Sequence, residues 1–83
     1  MKVHLHPHAQ HRLAERGVTE AEVTETIVAG DPSPAKFGRT GFRKNFGFGQ
    51  EWRGKFYTTK QVTAFAVREA DSWLVITVIA RYF

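Results

Sequence analysis

The hydrophobic pattern changes its period near residue 30, and this change constrains the fold more than any other feature of the sequence. Before it, apolar residues recur at a four-residue, helical spacing; from Trp52 onward they alternate or form β-branched runs. Helices followed by strands are typical of an α+β fold. The 83 residues suffice for one domain, 1–83, and not for two.

The first helix is predicted over residues 7–16, after a short strand over residues 2–6. Pro7 suits the first helical position, where no backbone N–H is needed. Ala9 and Leu13 lie four residues apart and therefore face the core together. Gly17 provides the stop signal.

The second helix carries the stronger local signals. Thr19 and Glu22 have the spacing of a capping box, in which each side chain satisfies a free backbone N–H at the helix start. Gly30 and Pro32 end the helix at about residue 29. A helical hairpin is therefore the best supported structural element.

The rest of the chain is predicted to form an antiparallel sheet of about four strands. The segment 31–51 supplies one or two short strands, and three further strands are expected over residues 54–60, 61–70 and 73–82. The aromatic residues of the first segment alternate with glycines and bases and have two interpretations. Either they stack on nucleic-acid bases or they fill the core, and the core interpretation is favoured. These residues are Phe37, Phe42, Phe46 and Phe48.

The charge of the chain is divided unevenly. Residues 1–35 hold three Lys/Arg against five Asp/Glu, whereas residues 36–83 hold nine against three. A basic half favours a polyanionic partner, most simply nucleic acid, although a solvated basic face without a partner explains it equally well. No apolar run approaches the roughly 20 residues that span a bilayer, so no membrane association and a cytoplasmic location are expected.

The last hairpin places charged residues on one face if its loop is Asp71-Ser72, which pairs Ala70 with Trp73. The core face then carries Phe65, Val67, Leu74, Ile76, Val78 and Ala80. The opposite face carries Lys60, Ala64, Ala66, Arg68, Val75, Thr77, Ile79 and Arg81. A cationic recess with a hydroxyl suits a phosphate-bearing ligand, although an ordinary exposed sheet face has the same pattern.

On the first helix, His8, Arg12 and Arg16 are spaced four apart and form one stripe beside the core residues. A histidine beside cations can perform acid–base chemistry on a phosphodiester near neutral pH. Two solvated arginines and a histidine at a helix start give the same spacing. The four histidines lack nearby carboxylates and the chain has no cysteine, so no metal site and no cofactor are predicted.

Residues 8–19, HAQHRLAERGVT, resemble the HA-x-x-R-x-x-x-R-G motif of a bacterial domain-of-unknown-function family. The strand Val75–Val78 (VITV) and the segment 54–62 (GKFYTTKQV) extend the resemblance over nearly the whole chain. That family is similar to the barnase–EndoU–colicin–RelE (BECR) superfamily of small ribonuclease toxins. The resemblance implies metal-independent RNA cleavage, in which the 2′-hydroxyl attacks the phosphate to leave a 2′,3′-cyclic phosphate.

The resemblance also implies roles for individual residues. It makes His8 the general acid or base, with Arg12 and Lys60 on the scissile phosphate and Thr77 bonded to a phosphate oxygen. The wider RNA-binding set comprises Arg16, Arg43, Arg68, Arg81 and Tyr82. The implied partners are tRNA or mRNA and an acidic antitoxin or immunity protein.

Two other functions stay open at this point: a nucleic-acid-binding module without catalysis, and a small protein-interaction domain. The ribonuclease hypothesis requires His8, Lys60 and Thr77 to meet in one cleft. Because the first helix should pack on the apolar face, His8 can reach the other two only if the helix crosses a sheet edge.

Overall fold

Five strands form one mixed sheet, and both helices pack on the same face of it. The structure is a computed structural model that describes residues 2–83. In chain order the elements are β1 (Lys2–Leu5), α1 (Pro7–Arg16), α2 (Glu20–Ala29), β2 (Asp31–Pro34), a 3-10 turn (Lys36–Gly38), β3 (Thr40–Trp52), β4 (Lys55–Glu69) and β5 (Ser72–Tyr82).

Both helices confirm the boundaries predicted from their local signals. Helix α1 ends at Gly17, whose φ of 69° is the left-handed conformation that glycine adopts without strain. At the start of α2, the Thr19 hydroxyl accepts the backbone N–H of Glu22, and the Glu22 carboxylate accepts that of Thr19. Neither helix is long and apolar enough to cross a membrane.

The prediction of an antiparallel sheet of about four strands is wrong. The strand order is β1-β5-β4-β3-β2, and β1 pairs with β5 in parallel, while all other neighbours are antiparallel. Residues 54–60 and 61–70 do not form two strands, because Lys60 and Gln61 lie inside the continuous strand β4. No glycine or proline interrupts the chain there, so nothing turns it.

The register of the last hairpin also differs from the prediction. Glu69 pairs with Ser72, so the loop is Ala70-Asp71 and Ala70 takes a left-handed φ of 54°. A β-bulge between Phe65 and Ala66 shifts the register once more. A shift of the paired positions by two residues keeps each side chain on its face, whereas the single extra residue at the bulge exchanges the faces of β5 beyond it. The helices pack on the face of β4 that carries Ala64 and Ala66, so the predicted core residues Phe65 and Val67 lie on the face without helices.

The core lies between the two helices and the face that they cover. Small and β-branched residues of β4 and β5 are fully buried there and let the helices approach the sheet: Val62, Ala64, Ala66, Val75 and Val78. Helices α1 and α2 contribute Ala9, Leu13, Val23 and Ile27 to the same cluster. Ala64 and Ala66 therefore lie under the helices and do not leave room for a ligand.

The other face of the sheet carries no helix. Directly paired residues share a face, so three rows of side chains cross it from β3 through β4 to β5. The rows are Asn45–Gln61–Arg81, Arg43–Thr63–Ile79 and Gly41–Phe65–Thr77. We call this surface the uncovered face and its opposite the covered face.

Candidate nucleic-acid interface

The structure does not bring His8, Lys60 and Thr77 into one cleft. Lys60 lies on the covered face, opposite Tyr82, whereas Thr77 pairs with Phe65 on the uncovered face. His8 is exposed in the first turn of α1. The single site predicted from the hairpin register is therefore divided among three places, because the register on which it depended is different.

Lys60 is a buried cation with two partners. Its side chain is 8% exposed, and its Nζ lies 2.9 Å from the Gly17 carbonyl oxygen and 2.8 Å from Glu22 Oε2. The ring of Phe48 lies under the same ammonium group, 5.4 Å from Nζ to its centroid. Lys60 thus fastens the turn between α1 and α2 to the sheet, and its charge is neutralised.

Glu22 has two roles in this contact, since it also closes the capping box of α2. Burial opposes its ionisation, but hydrogen bonds from Lys60 and from the Thr19 backbone, with the charge of Lys60, outweigh burial and lower its pKa. The carboxylate therefore stays ionised into mildly acidic solution. The pair Lys60–Glu22 is an element of the fold.

Tyr82 and Arg16 belong to the same packing. The Tyr82 hydroxyl donates to the Arg16 carbonyl oxygen over 2.7 Å, and Arg16 donates to the Val78 carbonyl oxygen over 3.0 Å. The Trp52 ring stacks on Tyr82 at 5.0 Å between centroids. Burial and the nearby charge of Glu22 raise the pKa of Tyr82 despite Arg53, so its hydroxyl stays protonated as a donor.

The remaining predicted residues of α1 are at its solvent side. The backbone N–H of His8 donates to Nδ1 of His6, the cap of the helix, and Arg12 pairs with Glu15 at 3.3 Å. Nine residues separate His8 from Gly17, where Lys60 binds, and at 1.5 Å per residue this is about 13 Å. His8 and Lys60 cannot contact one phosphate together.

Arg68 lies near the loop of the last hairpin, away from the cleft described next. Its Nε donates to the Ala70 carbonyl oxygen over 3.0 Å, and its guanidinium lies 5.4 Å from the Trp73 ring centroid. Arg68 therefore stabilises its own hairpin.

Arg43 and Arg81 lie together on the uncovered face and line a cleft of about 490 Å³. Asp31 enters the same cleft because β2 pairs Asp31 with Arg43 across the sheet edge. The amides of Asn45 and Gln61 form its floor, joined by a hydrogen bond of 3.0 Å between Gln61 Nε2 and Asn45 Oδ1. Guanidinium and amide groups in this arrangement can bind phosphate oxygens.

The two faces differ in how their cations are satisfied. Lys44 and Lys60 pair with Glu25 and Glu22, and Arg16 and Arg68 donate to carbonyl oxygens. Within residues 2–83, four cations around the uncovered face have no side-chain hydrogen bond or ion pair: Lys36, Arg39, Arg43 and Arg81. Unpaired cations on one surface form the positive field that a polyanion requires.

Residues 5–80 match the family described as Domain of unknown function (DUF4258). The chain belongs to this family. No curated protein and no solved structure matches the chain significantly. The matched residues include the segment 8–19, while the motif predicted in that segment and the relation to the BECR superfamily stay predictions.

The residues of the segment 8–19 have clear structural roles. Ala9 lies in the core, and Thr19 caps α2. The carbonyl oxygens of Arg16 and Gly17 accept hydrogen bonds from Tyr82 and Lys60 on the covered face. Among residues 2–83, no three His, Cys, Asp or Glu side chains form a group that could hold a metal ion. The histidines of the motif region are therefore dispersed.

Asp31 is the residue of the cleft that sequence reasoning missed. It follows the end of α2 in the sequence DPSP, which is typical of a turn. Its place beside Arg43 depends on the pairing of β2 with β3. The usable signal was its position as the sole acidic residue between Glu25 and Glu51, in a stretch otherwise rich in Lys and Arg.

Proposed function

We propose that this domain is a metal-independent ribonuclease that holds RNA on the uncovered face of its sheet. The observation that carries the proposal is the cleft in which two unpaired guanidinium groups, of Arg43 and Arg81, lie with the carboxylate of Asp31. The resemblance of the chain to BECR ribonucleases supports the choice of RNA and of phosphodiester chemistry.

Arg43 and Arg81 bind the scissile phosphate in this proposal. A guanidinium donates two parallel hydrogen bonds to phosphate oxygens and keeps its charge at every physiological pH. Negative charge grows on these oxygens when a fifth ligand joins phosphorus, and donors fixed in place stabilise that charge. Arg43 lies on β3 and Arg81 on β5, the two strands that flank β4 in the sheet, which fixes the separation of their backbones.

Asp31 accepts the proton of the ribose 2′-hydroxyl. The 2′-oxygen then bonds to phosphorus, the bond from phosphorus to the 5′-oxygen breaks, and the leaving oxygen takes a proton from water. The products are a 2′,3′-cyclic phosphate and a 5′-hydroxyl end. This assignment moves the catalytic site from His8 and Lys60, which do not meet, to residues that share a cleft.

An acidic antitoxin or immunity protein would inhibit such an enzyme by covering the same cleft. Charge complementarity with Arg43 and Arg81 would speed its association and select it over other proteins. The expected inhibitor therefore presents carboxylates to the uncovered face.

The test is incubation of the purified protein with tRNA and with total RNA, each with and without EDTA. The proposal expects cleavage that EDTA does not prevent and products that carry 2′,3′-cyclic phosphate. Arg81→Ala and Asp31→Asn should lower the rate by about 100-fold or more, as loss of a positioned charge or base does. Arg68→Ala is the matched control, because it removes the same charge outside the cleft and should keep the activity.

Full activity of both Arg81→Ala and Asp31→Asn would disprove the proposed site. Loss of activity in His8→Ala, with the cleft variants active, would return catalysis to the first helix.

A second function, RNA binding without cleavage, is favoured by one observation. The described cleft contains one carboxylate and no histidine, the side chain that most often donates a proton to a leaving oxygen. This function predicts intact RNA in the assay and retardation in gels that weakens with salt. The slope of log K against log salt would be about −0.7 for each phosphate that the protein neutralises on a single strand.

A further inference from the structure

Phe37 is the most exposed large apolar side chain of the described residues, 86% accessible to solvent. It lies in the 3-10 turn between β2 and β3 and takes a left-handed φ of 62°. This conformation is uncommon for a bulky residue and is costly. Of the aromatic residues in this segment, Phe42 is buried and Phe46 and Phe48 pack on the covered face. Phe37 alone among these four is presented to solvent.

The ring of Phe37 borders a recess on the uncovered face. Arg39 lies 5.7 Å from its centroid, and Phe65 and Thr77 complete the walls of a space of about 290 Å³. Gly41 leaves room for this arrangement, since a Cβ there would lie 3.2 Å from the Phe65 ring. The Thr77 hydroxyl donates no hydrogen bond within residues 2–83 and can bond to a ligand.

The recess lies on the same face of the sheet as the phosphate cleft, and the two share no lining residue. The row Gly41–Phe65–Thr77 lies two residues along the strands from the row Arg43–Thr63–Ile79. At about 3.3 Å per residue this separation is roughly 7 Å. It is comparable to the distance between the phosphate and the base of a single nucleotide.

We propose that this recess binds the base of an unpaired nucleotide, so that single-stranded RNA is the substrate. The proposal rests on the function proposed above and specifies its substrate. The base stacks on Phe37, with Arg39 at the edge of the ring, while Thr77 bonds to a polar group of the base. A base in a duplex is stacked on both sides and cannot enter, which excludes double-stranded RNA.

The charges around the recess favour RNA over an apolar protein partner. Arg39 lines the recess together with Lys36, and neither has an acidic partner among the described residues. Two unpaired cations beside an aromatic ring suit a base that is flanked by phosphates. A second copy of this chain would bring the same positive charges together.

The experiment measures binding by fluorescence anisotropy at fixed salt, with a short single-stranded RNA and a hairpin duplex of the same composition. Phe37→Ala should weaken binding of the single strand by at least about fivefold, the lower limit for loss of one base–aromatic contact. Phe37→Trp should retain binding. Phe56→Ala is the matched control, since Phe56 is 59% exposed at the far hairpin of β3 and β4 and should have no effect.

A second probe carries 2-aminopurine, whose fluorescence is quenched on stacking. Quenching with the unsubstituted protein and its loss in Phe37→Ala would support the base subsite. Equal binding of the single strand by both proteins, with weaker binding by Arg81→Ala, would overturn the subsite and leave the phosphate cleft standing.

Three other results would also overturn the subsite. An equal loss on single strand and duplex would show that Phe37 does not read an unpaired base. Self-association that Phe37→Ala abolishes, with RNA binding unchanged, would assign Phe37 to a contact between copies. Failure of the unsubstituted protein to bind any RNA would overturn this proposal together with the proposed function.

Discussion

Lys60 and Arg81 are cations on neighbouring strands, and the two faces of the sheet give them different fates. Lys60 is buried under the helices and binds both Glu22 and the Gly17 carbonyl oxygen. Arg81 pairs across the ladder with Gln61, the residue after Lys60, and projects from the other face without an acidic partner. The charge of Lys60 stabilises the fold on one face, whereas the charge of Arg81 is free to bind a ligand on the other.

The difference arises from desolvation. A buried ammonium group is stable only when its partners replace water, which Glu22 and Gly17 do. Arg81 keeps its water and loses nothing by staying unpaired until a phosphate arrives. Lys and Arg residues in a sequence therefore indicate a binding surface only when those that already have an ion pair or hydrogen bond inside the fold are left out.

The largest effect is expected from Lys60→Met. It leaves the partly buried Glu22 carboxylate, in the first turn of α2, without its ion-pair partner, which should lower the free energy of unfolding by about 3 kcal/mol. Urea denaturation followed by circular dichroism measures it. Lys60→Met combined with Glu22→Gln should recover part of the loss. Unchanged stability with lost RNA cleavage would instead make Lys60 a catalytic residue.

Gly17→Ala should have the next largest effect, about 2 kcal/mol, from left-handed strain and steric overlap together. A Cβ there would lie 2.5 Å from the Tyr82 hydroxyl and 2.7 Å from the Trp52 ring. Gly38→Ala is the matched control, with the same φ of 69° and open space around it. Equal losses in the two variants would show that the aromatic contact contributes nothing.

Thr19→Ala removes the hydroxyl that caps α2 and should lower the free energy of unfolding by about 1 kcal/mol. Thr19→Ser keeps the hydroxyl oxygen and should retain most of the stability that Thr19→Ala loses. Thermal unfolding of the three proteins compares them, and equal melting temperatures would contradict a role for the cap.

The dependence of stability on pH should also differ between the faces. Because the pKa of Glu22 is lowered in the folded protein, its contribution is present above the ordinary glutamate value of about 4.3 and is lost as pH falls below it. Burial of the carboxylate raises its pKa and so offsets part of the lowering by Lys60 and Thr19, which reduces this contribution to stability. Urea midpoints between neutral and acidic pH should fall less steeply in Glu22→Gln; parallel curves would count against the ion pair.

The smallest effect on stability is expected on the uncovered face. Arg43→Ala and Arg81→Ala should change the free energy of unfolding by no more than about 0.5 kcal/mol, since neither side chain has a hydrogen bond or ion pair and Arg81 loses only its contact with the exposed Phe83 ring. The same urea titrations test this. A loss of 2 kcal/mol or more, on the order of a buried contact, would remove the contrast between the two faces.

Local signals were enough to predict the helices. Pro7 and Gly17 bound α1, and Thr19 with Glu22 starts α2; each signal lies at or next to the helix end that it marks. The parallel strand pair was not predictable in this way. Leu5 and Val75 pair across 70 residues of sequence, and no local pattern encodes that contact.

The side chains of the last hairpin that face the core were predicted wrongly for a different reason. Asp71-Ser72 is the better turn by composition, but Ala70 adopts a left-handed conformation and moves the loop by one residue. The bulge opposite Phe65 then lets both Val75 and Val78, three residues apart, point to the core. Alternation along β5 could not reveal this.

The candidate site was predictable only in part. Arg43 and Arg81 follow from the basic second half of the chain. Lys60 was assigned to the same site because its partner, Glu22, is distant in sequence and its contact depends on the fold. Asp31 was overlooked because only strand pairing brings it to Arg43.

The position of β5 determines when the domain can form during synthesis. This strand lies between β1 and β4, yet it is the last of the five to be made. Until it leaves the ribosome, β1 has no paired strand and α1 lacks the strand on which it mainly packs. Arg81 belongs to the same strand, so the cleft arises in the step that completes the sheet. A ribosome in the middle of this domain therefore carries a precursor that lacks the cleft for which we propose RNA binding.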